Sequence, residues 1–137
     1  MVYRILADII VVIHFIWIVF MLVGFILTLI GFWWKRFFDK WLFRTLHLLG
    51  IVYVGLLAVL RQYCPLTILE NALREKYDPG LIYPGSFIIH YLQRLVYPDI
   101  QPLMILIPTM IIAIFAILVF IFRPPKRIKR IFVRFFL

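Results

Sequence analysis

The sequence predicts an all-α membrane protein: three transmembrane helices, two short interfacial amphipathic helices in the loop between the second and third, and a basic amphipathic C-terminal tail. Three observations predict it. The chain is 66% apolar over 137 residues, which leaves too little polar surface to cover a soluble fold of this size. Uncharged apolar runs recur at residues 9–34, 45–60 and 100–122, on the scale of a hydrocarbon core of about 30 Å. The charges between the runs are sorted. The first interhelical loop and the tail hold Lys35, Arg36, Lys40, Arg44, Arg123, Lys126, Arg127, Lys129, Arg130 and Arg134 against one acid, Asp39. The N-terminus and the 2–3 loop hold Arg4, Arg61, Arg74, Lys76 and Arg94, balanced by Asp8, Glu70, Glu75, Asp78 and Asp99. By the positive-inside rule the N-terminus and residues 64–98 lie outside, while residues 35–44 and the C-terminus are cytoplasmic. The compartment expected is a bacterial cytoplasmic (inner) membrane.

The three spans are expected at about residues 5–34, 41–63 and 100–122, within a single domain over residues 1–137. The first is too long for the roughly 7–15-residue core of a cleavable signal peptide, and no A-x-A-like site follows it. The second is extended beyond its uncharged stretch, with Arg44 and Arg61 snorkelling at its ends. Pro108 is expected to kink the third.

Residues 64–98 form a polar-punctuated insert that holds the only cysteine and three of the six acids, Glu70, Glu75 and Asp78. Thr67 and Glu70 have the spacing of a capping box, so a helix is expected from there to about Tyr77, stopped at Asp78-Pro79-Gly80. Ile68, Leu69, Ala72 and Leu73 would share its apolar face, and Glu70 can pair with Arg74 at i, i+4. After the Pro84-Gly85 turn, residues 86–97 form a second amphipathic pattern. Phe87, Ile88, Tyr91, Leu92 and Leu95 fall on one face, with His90, Gln93, Arg94 and Tyr97 on the other. At about 12 residues it is too short to span. In the tail, residues 123–137, Lys126, Arg127, Lys129, Arg130 and Arg134 lie mostly off an apolar stripe. At about 1 kcal/mol each they can hold the tail on anionic headgroups.

Several classes of function lack support. No nucleotide loop, zinc motif or paired-carboxylate pattern occurs, and one cysteine excludes an internal disulfide. The net charge of +9 comes with no nucleic-acid-binding motif, and its sorting across the membrane explains it without one.

The polar residues within the spans carry the remaining information. Counting about 1.5 Å per residue from midpoints near Val19 and Val52, Asp8 and Arg61 fall at similar depths and could pair. His14 and His47 fall about 15 Å apart in depth, which disfavours both gripping one haem. Gly55 falls near the level of His14 and Gly24 near that of His47, so each ring could pack against a glycine.

The segments CPLT-x-LEN-x-LR, from Cys64 to Arg74, and G-x-F-I-x-H-Y-L, from Gly85 to Leu92, together with His14 and His47, carry a resemblance. The chain resembles a family of small bacterial membrane proteins catalogued only as a domain of unknown function. The resemblance runs from about residue 5 to 120 and implies the same three-span topology, with no activity attached.

Three functions remain in view. The first is an accessory or scaffold subunit of a larger membrane assembly, respiratory complexes among the candidates, docking other integral membrane subunits and carrying no cofactor or chemistry of its own. The second is a redox module holding haem b or a metal through His14, His47 or His90. The third is an interfacial lipid-handling enzyme built from an outer-surface cluster of Asp8, Arg61, Cys64, Glu70, Arg74, His90 and Arg94. There Cys64 or His90 would serve as nucleophile or base, and an arginine would bind an anion.

Overall fold

The computed structural model describes residues 1–33, 37, 39–95, 102–125 and 130, with the backbone alone at 94 and 95. Five α-helices occur among them: α1 (Val2–Ile30), α2 (Trp41–Val59), α3 (Pro65–Glu75), α4 (Phe87–Leu95) and α5 (Leu103–Phe122). A 3-10 turn at Pro79–Leu81 follows α3. Helices α1, α2 and α5 are long and apolar enough to cross a membrane. At about 1.5 Å per residue, the 19 residues of α2 and the 20 of α5 match a hydrocarbon core, whereas the 29 of α1 overshoot it. Only 17%, 28% and 17% of their most apolar windows are buried within the chain. Most side chains on these helices therefore face outward, which suits a lipid surrounding and not water.

α2 ends sooner than its apolar run implies. Gln62 N–H donates to the Leu57 carbonyl at 2.9 Å and Arg61 N–H to that of Ala58 at 3.2 Å. This is a Schellman closure, with Arg61 in the left-handed region at φ 53° where glycine usually stands. Arg61 thus leaves the helix axis instead of continuing the span to residue 63.

α3 begins two residues before the expected capping box. Pro65 takes the first turn, where its missing N–H costs nothing, and the N-cap residue Cys64 makes no side-chain capping bond. Thr67 and Glu70 therefore sit inside the helix, and neither caps it. Its apolar residues face outward, as an interfacial helix requires, and its polar face turns into the protein. Thr67 (1% exposed) and Glu70 (0%) are buried, while Ile68 and Leu69 are 56% and 46% exposed. α4 is capped by Ser86, whose Oγ accepts from Ile89 N–H at 3.4 Å, and is entered through Gly85 at φ +103°, a conformation that favours glycine.

The helices group into two compact units: residues 1–18 with 56–108, and residues 19–55 with 109–137. In the second, small residues let helices approach. A Cβ on Gly24 would fall on the His47 ring, and one on Gly55 would lie 3.4 Å from the Ala113 Cβ. Gly24 thus makes room for His47, as helix register suggests, but Gly55 faces α5 and not His14. Arg44, expected to snorkel, is buried. It donates from Nη1 to the Arg123 carbonyl at 2.7 Å and lies 5.3 Å from the Phe120 ring centroid. A cation at the end of α5 satisfies a carbonyl that the helix leaves open.

Candidate functional site

In the first unit, the polar face of α3 and the segment that returns to it form one hydrogen-bonded cluster around Glu70. Its position on α3 is set by the helix start at Pro65, which turns Thr67, Glu70 and Arg74 to one side. Glu70 Oε1 accepts from Arg74 Nε at 2.9 Å and from the Tyr91 hydroxyl at 3.3 Å. Oε2 accepts from the Tyr83 hydroxyl at 2.9 Å. Arg74 Nη2 donates in turn to the Tyr91 oxygen at 3.2 Å. The i, i+4 pair expected from the sequence is present, but as one edge of a buried network. Asn71 fixes the returning loop: its Nδ2 donates to the Tyr83 carbonyl at 3.1 Å, and its Oδ1 accepts from Tyr83 N–H at 3.5 Å.

The electrostatics follow from burial around one carboxylate. Burial pushes the Tyr83 hydroxyl well above the usual tyrosine range, and donating to Glu70 raises it further. Tyr91 is raised as well, by burial first and then by the Glu70 charge. For Arg74, burial works against the charge, but the hydrogen bond and charge of Glu70 outweigh it, and its pKa is raised. Both tyrosines are thereby kept neutral and able to donate.

His90 was expected on a water-facing side. Instead it stacks on Tyr83, with ring centroids 3.8 Å apart and 12° between planes, and meets the edge of Tyr91 at 5.0 Å. It makes no hydrogen bond to Glu70. Cys64 is a half-buried free thiol without a hydrogen bond to Glu70 or His90. His14 is buried within the same unit and stacked on Phe87 at 4.1 Å. Its Nδ1 and the Thr67 Oγ1 are buried without a protein partner, so a buried water is the natural companion of each. Asp8 makes no ion pair with Arg61, whose left-handed backbone carries it away from the helix; Arg61 is exposed.

Asp8 instead lines a cleft of about 330 Å³ together with Arg4, Ala7, Arg74, Tyr77 and Asp78. Arg4 lies over the Tyr77 ring at 6.0 Å and Lys76 over the Tyr3 ring at 5.5 Å. These two cation–aromatic contacts fasten the start of α1 to the end of α3. The Arg94 side chain and Lys126, Arg127, Lys129 and Arg134 lie outside the described residues, as does residue 97. Arg130 is helical and exposed.

In the second unit, His47 Nε2 donates to the Met21 carbonyl at 3.0 Å, and Thr28 Oγ1 to the Gly24 carbonyl at 2.7 Å. The cavity beside His47 measures about 10 Å³, room for a single water and far short of a porphyrin. Among the described residues, no three His, Cys, Asp or Glu side chains gather as a metal site. The haem and metal reading gains nothing from these surroundings.

Tyr83, Tyr91, Asn71, Thr67 and Arg4 were missed as site residues. Tyr83 had a signal: a lone tyrosine between two Pro-Gly turns, with a hydroxyl that needs a partner once its ring is buried.

The features together define a helical protein with three membrane-spanning-like segments and a polar cap folded around one carboxylate. The chain belongs to the family described as Protein of Unknown function (DUF2784), whose model matches residues 4–124. No curated protein and no solved structure matches it.

Proposed function

We propose that this chain is an accessory or scaffold subunit of a larger assembly in a bacterial inner membrane, with no chemistry of its own. The observation that carries the reading is the state of Glu70. The carboxylate best placed for catalysis is wholly enclosed, and Arg74, Tyr83 and Tyr91 supply every donor around it. A general acid or base must reach a substrate proton, whereas this group is occupied in tying α3 to Tyr83 and α4. The enzyme alternative also needs His90 or Cys64 within reach of Glu70, and neither hydrogen-bonds to it.

What remains is a hydrogen-bonded polar cluster beside thinly packed apolar helices. The outward faces of α1, α2 and α5 carry large side chains such as Phe15, Leu49 and Ile111, suited to packing against lipid or other spans. The charge sorting supports a topology with residues 64–98 outside and the basic tail on anionic cytoplasmic headgroups. Purification of the tagged full chain from its native membrane in mild detergent, followed by mass spectrometry, tests the reading. Recovery in a complex with other integral membrane subunits is expected. Recovery at monomer or small-homomer mass would remove the reading's support.

A further inference from the structure

The cleft at the start of α1 is not used by the Glu70 network, and its lining is unusual. Two cations, Arg4 and Arg74, and two carboxylates, Asp8 and Asp78, share about 330 Å³, a volume typical of small-ligand sites. No ion pair joins Arg4 or Arg74 to Asp8 or Asp78. The only salt-bridged member is Arg74, and its partner is Glu70, on the buried side. With Nε and Nη2 committed to Glu70 and Tyr91, the Arg74 guanidinium is held in place with Nη1 left over. A donor already ordered loses little entropy on meeting an anion. Asp78 is fixed in the same way, one oxygen accepting from Gly80 N–H at 2.9 Å. Ala7, 2% exposed, is the small buried residue in the lining.

The position of the cleft narrows the ligand. Asp8 is the last charge before the uncharged run of α1 begins at residue 9, so the cleft opens where hydrocarbon gives way to headgroups. A single phosphate would meet two arginines but also two carboxylates that repel it. A phosphate joined to a primary ammonium satisfies both pairs: Arg4 and Arg74 toward the phosphate oxygens, Asp8 and Asp78 toward the ammonium, with the Tyr77 ring beside it. We propose that this cleft binds an ethanolamine-phosphate group, the headgroup of phosphatidylethanolamine. A quaternary choline fits less well, because it cannot donate hydrogen bonds to the two carboxylates.

The test uses the purified full chain in detergent, titrated with dihexanoyl phosphatidylethanolamine, phosphatidylcholine and phosphatidylglycerol and, in a separate arm, with glycerophosphoethanolamine. Binding is read by native mass spectrometry. The ethanolamine lipid should bind about tenfold more tightly than either other lipid, a difference of about 1.4 kcal/mol. Arg4→Gln and Asp8→Asn should each erase that preference. Both residues are exposed and lie outside the Glu70 network, and retained helical content by circular dichroism checks the fold. Asp78→Asn keeps an oxygen for Gly80 N–H and should weaken the preference over both other lipids, since the ammonium loses one of its two carboxylates. Lipid binding without glycerophosphoethanolamine binding assigns the cleft to the membrane. Equal binding of the two assigns it to free headgroup compounds of the same chemistry. Equal binding of the three lipids, or a preference that survives both Arg4→Gln and Asp8→Asn, would overturn the proposal.

Discussion

Glu70 is the residue on which the cap depends. Glu70→Gln keeps its shape but leaves the half-buried Arg74 guanidinium without its carboxylate, at a cost of about 3 kcal/mol. Tyr83→Phe removes one hydrogen bond to the buried carboxylate and should cost about 2 kcal/mol. Thermal unfolding in detergent, followed by helical signal, should rank the two in that order. The tyrosines also set a pH dependence. Tyr83 and Tyr91 are raised in the folded protein, whereas an unfolded tyrosine loses its proton near about pH 10. Their contribution is complete below that value and is lost as pH rises above it, because the unfolded chain releases protons first. Arg74, also raised, acts in the same direction. The midpoint should fall above about pH 10, and Tyr83→Phe should fall less steeply. Two glycines give a second contrast. Gly24→Ala drives a methyl into the His47 ring, which is held by Met21, and should destabilise by about 1–3 kcal/mol. Gly55→Ala meets only ordinary contact with Ala113 at 3.4 Å and should be neutral or stabilising by up to about 1 kcal/mol.

Among the elements, the helix cores were legible and their ends were not. Long uncharged runs announce α1, α2 and α5, because a single apolar segment can satisfy its own backbone in hydrocarbon only as a helix. The end of α2 was hidden because its left-handed closing residue is Arg61, where a glycine would have marked the stop. Arg61→Gly should relieve that strain and raise the stability of the chain by about 1 kcal/mol, read from the unfolding midpoint. The start of α3 was misplaced because Thr67-x-x-Glu70 fits a capping box while Pro65 fits a first turn, and the proline prevailed. Its outward apolar face follows from reading it as interfacial, but what its polar face meets was illegible for a different reason. Here Ile68 and Leu69 face outward, as suits an interfacial helix, and Glu70 faces in because partners await it. Two of those partners, Tyr83 and Tyr91, lie 13 and 21 residues away, a separation at which local patterning is silent. The Glu70–Arg74 pair, one helical turn apart, was readable.

At the scale of the molecule, the proposed topology puts the cap outside and the basic tail on the cytoplasmic side. The chain carries a ready probe of this arrangement, since Cys64 at the head of α3 is its only cysteine and is partly accessible. The tail can be probed in turn with Cys64→Ser combined with Arg130→Cys, at a position that is exposed. The decisive measurement is labelling with a membrane-impermeant maleimide in intact cells, repeated after permeabilisation. Cys64 should be modified in intact cells. The thiol at position 130 should react only once the membrane is opened. Modification of position 130 in intact cells, with Cys64 protected until permeabilisation, would put the cap in the cytoplasm and contradict the proposed topology.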